Sequence, residues 1–522
     1  MTATTKPARA MVTSPHRLAT EAGVAVLAEG GNAIEAAIAV AAVLSVTYPH
    51  FCGIGGDAIW MLADGEGRRN CLLGIGQAAA SADKIDQIAV RGPMSALTTA
   101  CAVDSWGAAQ AFSAANWRGG KALGRLLEPA IGYARDGFAR TPSQDFWLDF
   151  RRQEAASWPG FAAVFMPGDI GDGVFRQRAL ADTLENIAHN GTRDFYEGAL
   201  ARRIADGLAA AGAPITAADL AATRTRSVAP LSLAYGDTTL LAPPPPTQGV
   251  TTLEIMGILD RLGARRYPAG SPEYYHCCVE AIKRAFLDRN GIGDPDETDL
   301  PVERWLSDMH LAAQAEDIDM AEALAWPQAF KTGDTVFFAA ADNEGRCASV
   351  LQSTYYDWGS GVVAGDTGIL WQNRGGAFNL VDGHPNRLRP GKRPFYTLNP
   401  GIALKGGKPH LLYGTQGADG QPQTLSVILS LMLDHGFTPE QALTMPRFLL
   451  GKTFSDSRDT LKVEGDIAAV TIDGLEARGH AVSRIAAKSP LAGQAGVIRI
   501  NGDGEIDGAH DPRSDGVAIG LA

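Results

Sequence analysis

The sequence predicts an α+β fold, and three observations carry the prediction. Helical periodicity dominates from Ala108 to about Ala222 and returns over 249–262 and 273–288. From Thr335 onward, short β-prone runs alternate with glycine-rich turns. No Pro/Gly/Ser-rich linker separates the two parts, so although 522 residues suggest two or three domains, the chain reads as one unit. Helices first and strands after is the α+β order.

The elements follow in order. Ser14-Pro15 reads as an N-cap with proline at the first helical position, opening a helix that stops at Gly30-Gly31. Asn32-Ala33-Ile34-Glu35 has the form of a capping box. The helix it opens is apolar on nearly all sides and ends at Tyr48-Pro49-His50, so it is expected at the centre of the fold. The glycine cluster Gly53-Ile54-Gly55-Gly56-Asp57 has no strand before it and no GK[ST] after it. Close backbone packing near a site explains it better than phosphate binding. Strands over 59–62 and 71–75 flank the turn Asp64-Gly65-Glu66-Gly67. In the helical part, 123–135 and 199–211 are the clearest periodic segments. Pro243-Pro244-Pro245-Pro246 is a stiff lead into the helix over 249–262. Residues 311–332 are rich in alanine and acids, and 422–436 form the one strong helix of the strand-rich part.

Composition excludes several function classes. A net charge of −12 with no Lys/Arg-rich run argues against a nucleic-acid partner. The first residues lack the apolar core of a signal peptide, and the apolar stretch 33–46 carries Glu35 and is too short to span a bilayer. Neither secretion nor a membrane partner is expected. Six cysteines show no CxxC and no metal spacing, which fits buried, reduced thiols in a cytoplasmic protein. His16, His50 and His276 are isolated in sequence, and Asp294-Pro295-Asp296-Glu297 reads as a solvated turn. No metal, nucleotide or prosthetic group is expected.

The chemistry centres on Thr335. It opens an apolar run, Val336-Phe337-Phe338-Ala339-Ala340-Ala341, closed by the turn Asp342-Asn343-Glu344-Gly345; a second run, 347–353, completes a hairpin. The polar stretch Lys331-Thr332-Gly333-Asp334 precedes it. Were the bond before Thr335 cut, the residue would carry a nucleophilic hydroxyl and its own α-amine as base. Read alone, these residues fit an ordinary hairpin more readily, and the motif needs its context.

That context spans almost the whole chain. Its parts are Ser14-Pro15-His16-Arg17-Leu18-Ala19, Gly30-Gly31-Asn32-Ala33-Ile34-Glu35, Gly53-Ile54-Gly55-Gly56-Asp57 and Phe195-Tyr196-Glu197-Gly198. Pro244-Pro245-Pro246-Thr247-Gln248-Gly249, Lys283-Arg284-Ala285-Phe286-Leu287-Asp288-Arg289 and Gly293-Asp294-Pro295 follow. Gly391-Lys392-Arg393-Pro394, Gly414-Thr415-Gln416-Gly417 and Asp511-Pro512-Arg513 complete the series. In this order the motifs resemble the γ-glutamyltranspeptidase family of N-terminal-nucleophile (Ntn) hydrolases. The resemblance implies a four-layer αββα sandwich and a precursor that cuts itself before Thr335. Its pieces, 1–334 and 335–522, would remain together as one folded heterodimer, able to assemble further. By the same resemblance Thr335 is the nucleophile, Ser353 helps hold it, and the backbone amides of Gly417 and Ala418 form the oxyanion hole, a usually dominant electrostatic contribution to acyl transfer.

The recognition positions depart from the family pattern. Ile75, or a neighbour in Gly74-Ile75-Gly76-Gln77, stands where the family has the arginine that holds the α-carboxylate of glutamate. The loop that carries the family's acidic residue reads Asn373-Arg374-Gly375-Gly376-Ala377-Phe378, and Tyr396-Thr397 replace two serines. The resemblance thus implies retained chemistry and a lost γ-glutamyl pocket. Asn373, Arg374, Tyr396 and Thr397 then form a pocket for a small carboxylate-bearing amide, as in the oxamate-hydrolysing type of member. Arg387, Arg389 and Arg393 are rival anchors, and the plain alternative makes Arg374 a solvent-facing residue of a mobile loop. Two other readings stand beside this one: a γ-glutamyl hydrolase or transpeptidase with a rebuilt pocket, and an uncleaved, inactive binding protein.

Overall fold

The computed structural model describes residues 8–166, 173–326, 335–452 and 458–522. Alternation along the strand after Thr335 explains the architecture. Val336, Phe338 and Ala340 pack into one apolar cluster, with the helices Arg17–Ala28, Ala33–Thr47, Leu123–Asp136 and Arg178–Asn190. Phe337, Ala339 and Ala341 face the other way, into a cluster built from two sheets. A strand buried on both faces must be apolar at every position, as 336–341 are.

The strand lies within a seven-stranded antiparallel sheet. Its order is Val517–Leu521, Ala10–Ser14, Val336–Ala341, Cys347–Ser353, Asp57–Ala63, Arg69–Gly74 and Arg226–Val228. A six-stranded antiparallel sheet stacks on it, in the order Ile506–His510, Ala495–Ile500, Lys408–Thr415, Gly401–Lys405, Thr238–Ala242 and Leu231–Tyr235. The helices Gly249–Leu262, Pro272–Arg289 and Gln421–Leu433 cover the outer face of this second sheet. The layers are therefore helix, sheet, sheet, helix, and both sheets draw strands from before and after Thr335. A small three-stranded sheet, Phe448–Gly451, Thr460–Glu464 and Val482–Ile485, completes the chain's C-terminal part.

The capping box forms as the sequence predicts: Asn32 Oδ1 accepts from the amides of Ile34 and Glu35, and Glu35 Oε2 accepts from Asn32 N at 2.9 Å. Every residue of Ala33–Thr47 is buried. The Ser14-Pro15 start is corrected. Ser14 ends a strand paired with Val517–Leu521, and the helix begins at Arg17, where His16 Nδ1 accepts from Leu18 N at 3.2 Å. Strand pairing claims the Ser14 backbone, and its hydroxyl turns to Thr20 Oγ1 at 2.7 Å. The turn Asp294-Pro295-Asp296-Glu297 is solvated at its last three residues, whereas Asp294 itself is buried and ion-paired with Arg393. All six cysteines are unpaired and buried. Among the described residues no helix is long and apolar enough to cross a membrane.

Candidate active site

Register brings the first two candidate residues together. Val336 pairs with Gln352, which sets Thr335 across from Ser353. Thr335 Oγ1 donates to Ser353 Oγ at 3.2 Å, and both residues are buried. On Ser353's other side the ladder pairs it with Asp57. The glycine cluster allows this crowding, since a Cβ on Gly56 would lie 2.1 Å from the Ser353 carbonyl oxygen. The cluster therefore packs backbone beside the site, as expected of it. The bond expected to be cut joins Thr335 to Asp334, and the polar stretch 331–334 lies outside the described residues.

From Ser353 the site continues to the pocket. Ser353 Oγ accepts from Tyr355 N at 2.8 Å. Tyr355 has φ +85, a left-handed conformation that non-glycine residues hold only when their surroundings impose it. Its ring covers one face of the Arg374 guanidinium, with Cζ 3.7 Å from the centroid, and Tyr396 covers the other face at 3.8 Å. Arg374 is fully buried. Nη2 lies 3.5 Å from Thr397 Oγ1, while Nε and Nη1 find no hydrogen-bond acceptor among the described residues. This overturns the picture of a solvent-facing arginine.

The rival arginines are engaged elsewhere. Arg387 donates to Leu380 O and pairs with Asp382, Arg389 is largely exposed near Glu297, and Arg393 is bound by Asp294. Asn373 commits its side chain to the backbone: Nδ2 donates to Val90 O at 2.9 Å, and Oδ1 accepts from Tyr356 N at 3.1 Å. It shapes the loop that presents Arg374. Ile75 lies in the apolar layer between the sheets, so no cation stands there.

Tyr396 is fixed through its hydroxyl, which donates to Asp57. Asp57 also accepts from Gln372 Nε2, Gly76 N and Cys101 N at 3.0, 3.0 and 2.7 Å. Burial raises the Asp57 carboxyl to about 6, against the lowering by these donors and by the Arg374 charge. At neutral pH it is a carboxylate, and the Tyr396 hydroxyl links it to the pocket that holds Arg374.

Gly417 and Ala418 form a turn after the strand Lys408–Thr415, at φ +121 and +42. Among the described residues neither amide donates a hydrogen bond. The Phe337 ring fills the space where Gly414 lacks a side chain, so the strand entering the turn packs against the strand leaving Thr335. Ala418 O accepts from Gln248 Nε2, which also donates to Thr397 O, both at 2.7 Å. Contacts thus connect Thr335, Ser353, Arg374, Tyr396, Thr397 and Ala418. Tyr355, Asp57, Gln248 and Arg289 are the additions that sequence reasoning missed. The last three lay inside noted motifs without a role, and Tyr355 carried no signal.

Among the described residues two groups of side chains have metal-ligand proximity. His276, Glu280 and His480 form one, and Glu254, Asp288 and His310 the other. His276 is therefore not isolated: its Nδ1 lies 2.8 Å from His480 Nε2. Both groups are satisfied internally. Lys283 Nζ and Leu324 N hold Glu280, and His310 Nε2 bridges Glu254 and Asp288 at 3.2 and 2.9 Å.

Comparison with known proteins identifies the family and the fold. A sequence model of the Gamma-glutamyltranspeptidase family matches residues 19–521. The oxamate amidohydrolase proenzyme of Klebsiella pneumoniae subsp. pneumoniae is 41% identical over 98% of both chains. The glutathione hydrolase-like YwrD proenzyme of Bacillus subtilis is 40% identical, also over 98% of both. The crystal structure of cephalosporin acylase from Bacillus halodurans superposes with a TM-score of 0.89 at 30% identity, covering 100% of this chain and 97% of that one.

Proposed function

Because this chain belongs to the γ-glutamyltranspeptidase family, we propose that it is a self-processing N-terminal-threonine amidohydrolase for a small carboxylate-bearing amide of the oxamate type. In processing, Thr335 Oγ attacks the Asp334 carbonyl carbon, the chain shifts from nitrogen to oxygen, and water opens the ester. The strand after Thr335 is bonded on both sides, so the pieces 1–334 and 335–522 stay together as a heterodimer. In turnover, the freed α-amine takes the Thr335 hydroxyl proton as Oγ adds to the substrate amide carbon. The amides of Gly417 and Ala418 receive the oxyanion. The C–N bond breaks with proton transfer to the leaving nitrogen, giving ammonia from a primary amide, and water hydrolyses the acyl-threonine. Six buried, unpaired thiols support placing the enzyme in the cytoplasm, a reading that cell fractionation checks.

The observation that carries the substrate class is Arg374, a buried cation with two N–H-bearing nitrogens unused, connected to the nucleophile through Tyr355 and Ser353. The two most similar relatives reported above differ by one percentage point in identity and by substrate in name, so sequence similarity does not choose between them. The pocket supports the oxamate-type reading. A γ-glutamyl substrate brings an α-ammonium that needs an acidic partner, whereas Asp57 already accepts four hydrogen bonds and Asp419 is paired with Arg289.

The purified, processed enzyme is expected to release ammonia from oxamate and to hydrolyse glutathione with kcat/KM at least about a hundredfold lower, a difference of about 2.7 kcal/mol in transition-state binding. Faster turnover of glutathione would give the site to the γ-glutamyl reading. A full-length chain without either activity would support the binding-protein reading.

The base assignment also fixes a pH dependence. A free α-amine has a reference pKa of about 7.7–8.0 and accepts a proton only when neutral. With oxamate, kcat/KM is expected to rise from pH 6 to about pH 8 and then level. A profile flat from acid to alkaline pH argues against the amine as base or against chemistry as the limiting step.

A further inference from the structure

We propose that Gln248, held by Arg289 and Asp419, is a positioning residue that ties the oxyanion turn to the carboxylate pocket. The inference rests on the reading of the Gly417 and Ala418 amides as the oxyanion donors. Gln248 is fully buried just before the helix Gly249–Leu262. Its orientation is forced by its partners. Arg289 Nε, which only donates, lies 3.0 Å from Oε1, so the oxygen faces it. The NH2 group then faces two carbonyls, which only accept: Thr397 O and Ala418 O, both at 2.7 Å. One amide group therefore spans the two ends of the site. Thr397 carries the hydroxyl beside Arg374, and Ala418 carries an oxyanion amide.

The turn is gripped a second time through the next residue. Asp419 pairs with Arg289, and both side chains are nearly buried. The Arg289 guanidinium is flanked by Phe286 and Phe395, at 4.9 and 4.8 Å from the ring centroids, which leaves it little freedom. The turn needs such support. Ala418 holds φ +42, and a strained residue persists only where its surroundings over-determine it. Ala418 O belongs to the peptide that follows Ala418, so the Gln248 bridge adds to the Gln421 N–H in fixing that plane. Through the Ala418 backbone it steadies the preceding peptide, whose N–H is the proposed oxyanion donor; loss of the bridge loosens that N–H. Displacements of about 1 Å in catalytic groups cost about a hundredfold in rate.

The test compares processed Gln248→Met with wild type on oxamate, and on a γ-glutamyl anilide should wild type prefer it. Intact mass and the thermal midpoint serve as folding controls. The expected result is a kcat lowered about ten- to a hundredfold with KM within about threefold, since the oxyanion exists only in the transition state. Asp419→Asn keeps an acceptor for Arg289 and is expected to stay within about threefold of wild type, whereas Asp419→Ala falls about tenfold in kcat. An unchanged kcat in Gln248→Met overturns the inference. Should that variant fail to fold or process, an unchanged kcat in Asp419→Ala does the same. A wild type inactive on both amides overturns the underlying reading of the site instead.

Discussion

Thr335→Ala is expected to yield one full-length chain with no detectable amidase activity. Both reactions proposed for the site start from the same oxygen, so its removal stops both. Loss of an enzyme's nucleophile typically lowers kcat by about 10⁴–10⁶-fold, beyond the reach of an ordinary assay. Ser353 Oγ, at 3.2 Å, is a poor substitute: it accepts from Tyr355 N and has no α-amine of its own to serve as base. The fold survives, because the substitution removes one hydrogen bond, worth about 1 kcal/mol, and leaves the buried strand Val336–Ala341 intact. Thr335→Ser restores a hydroxyl and should restore cleavage and turnover, which separates chemistry from packing. Intact mass reads processing, and ammonia release reads turnover. Cleavage of the alanine variant at the 334–335 bond would sink the mechanism.

What the sequence made legible was local. Asn32 and Glu35 are three residues apart, and their reciprocal caps form as read. The hairpin after Thr335 followed from its turn residues, and the buried helix Ala33–Thr47 from apolar residues on every side. What stayed hidden depends on distant partners. Ser14 looked like a cap because its strand partners, at 517–521 and 336–341, lie hundreds of residues away. His276 looked alone because His480 is 204 positions further on. The pocket is the sharpest case. No pattern near Arg374 announces that two tyrosines enclose it, or that Asp57 anchors one of them from 339 positions away. Motif order singled out Thr335 and the Gly417-Ala418 turn as candidates. Burial, which sequence does not print, removes the solvent-facing alternative for Arg374 and leaves the anchor reading.

Arg374→Met is expected to lower kcat/KM for oxamate about a hundredfold while leaving processing complete. Methionine keeps an apolar stem of similar length between Tyr355 and Tyr396, so the change removes charge and donors more than packing. In wild type the guanidinium is fully buried, two of its nitrogens lack acceptors, and no carboxylate among the described residues forms an ion pair with it. A buried cation without a direct partner is costly to hold, and a bound carboxylate would complete it. Two charge-assisted hydrogen bonds are worth about 1.5–3 kcal/mol each. Part of that is offset, because the free variant no longer carries the unpaired charge; a net loss of about 2.7 kcal/mol is the hundredfold stated. The loss should fall chiefly on KM, since the carboxylate is held alike before and during attack on the amide carbon. The stability change is expected to be small, because relief of a buried cation that has no carboxylate partner is offset by loss of its cation–π contacts with Tyr355 and Tyr396. A fall in kcat/KM together with a clearly lower midpoint would mean that Arg374 supports the loop rather than the substrate. Unchanged kinetics in a processed variant would remove it as the anchor. Cleavage at Thr335 is expected to be unaffected in either case, because the carbonyl attacked there belongs to the chain itself and no bound substrate takes part.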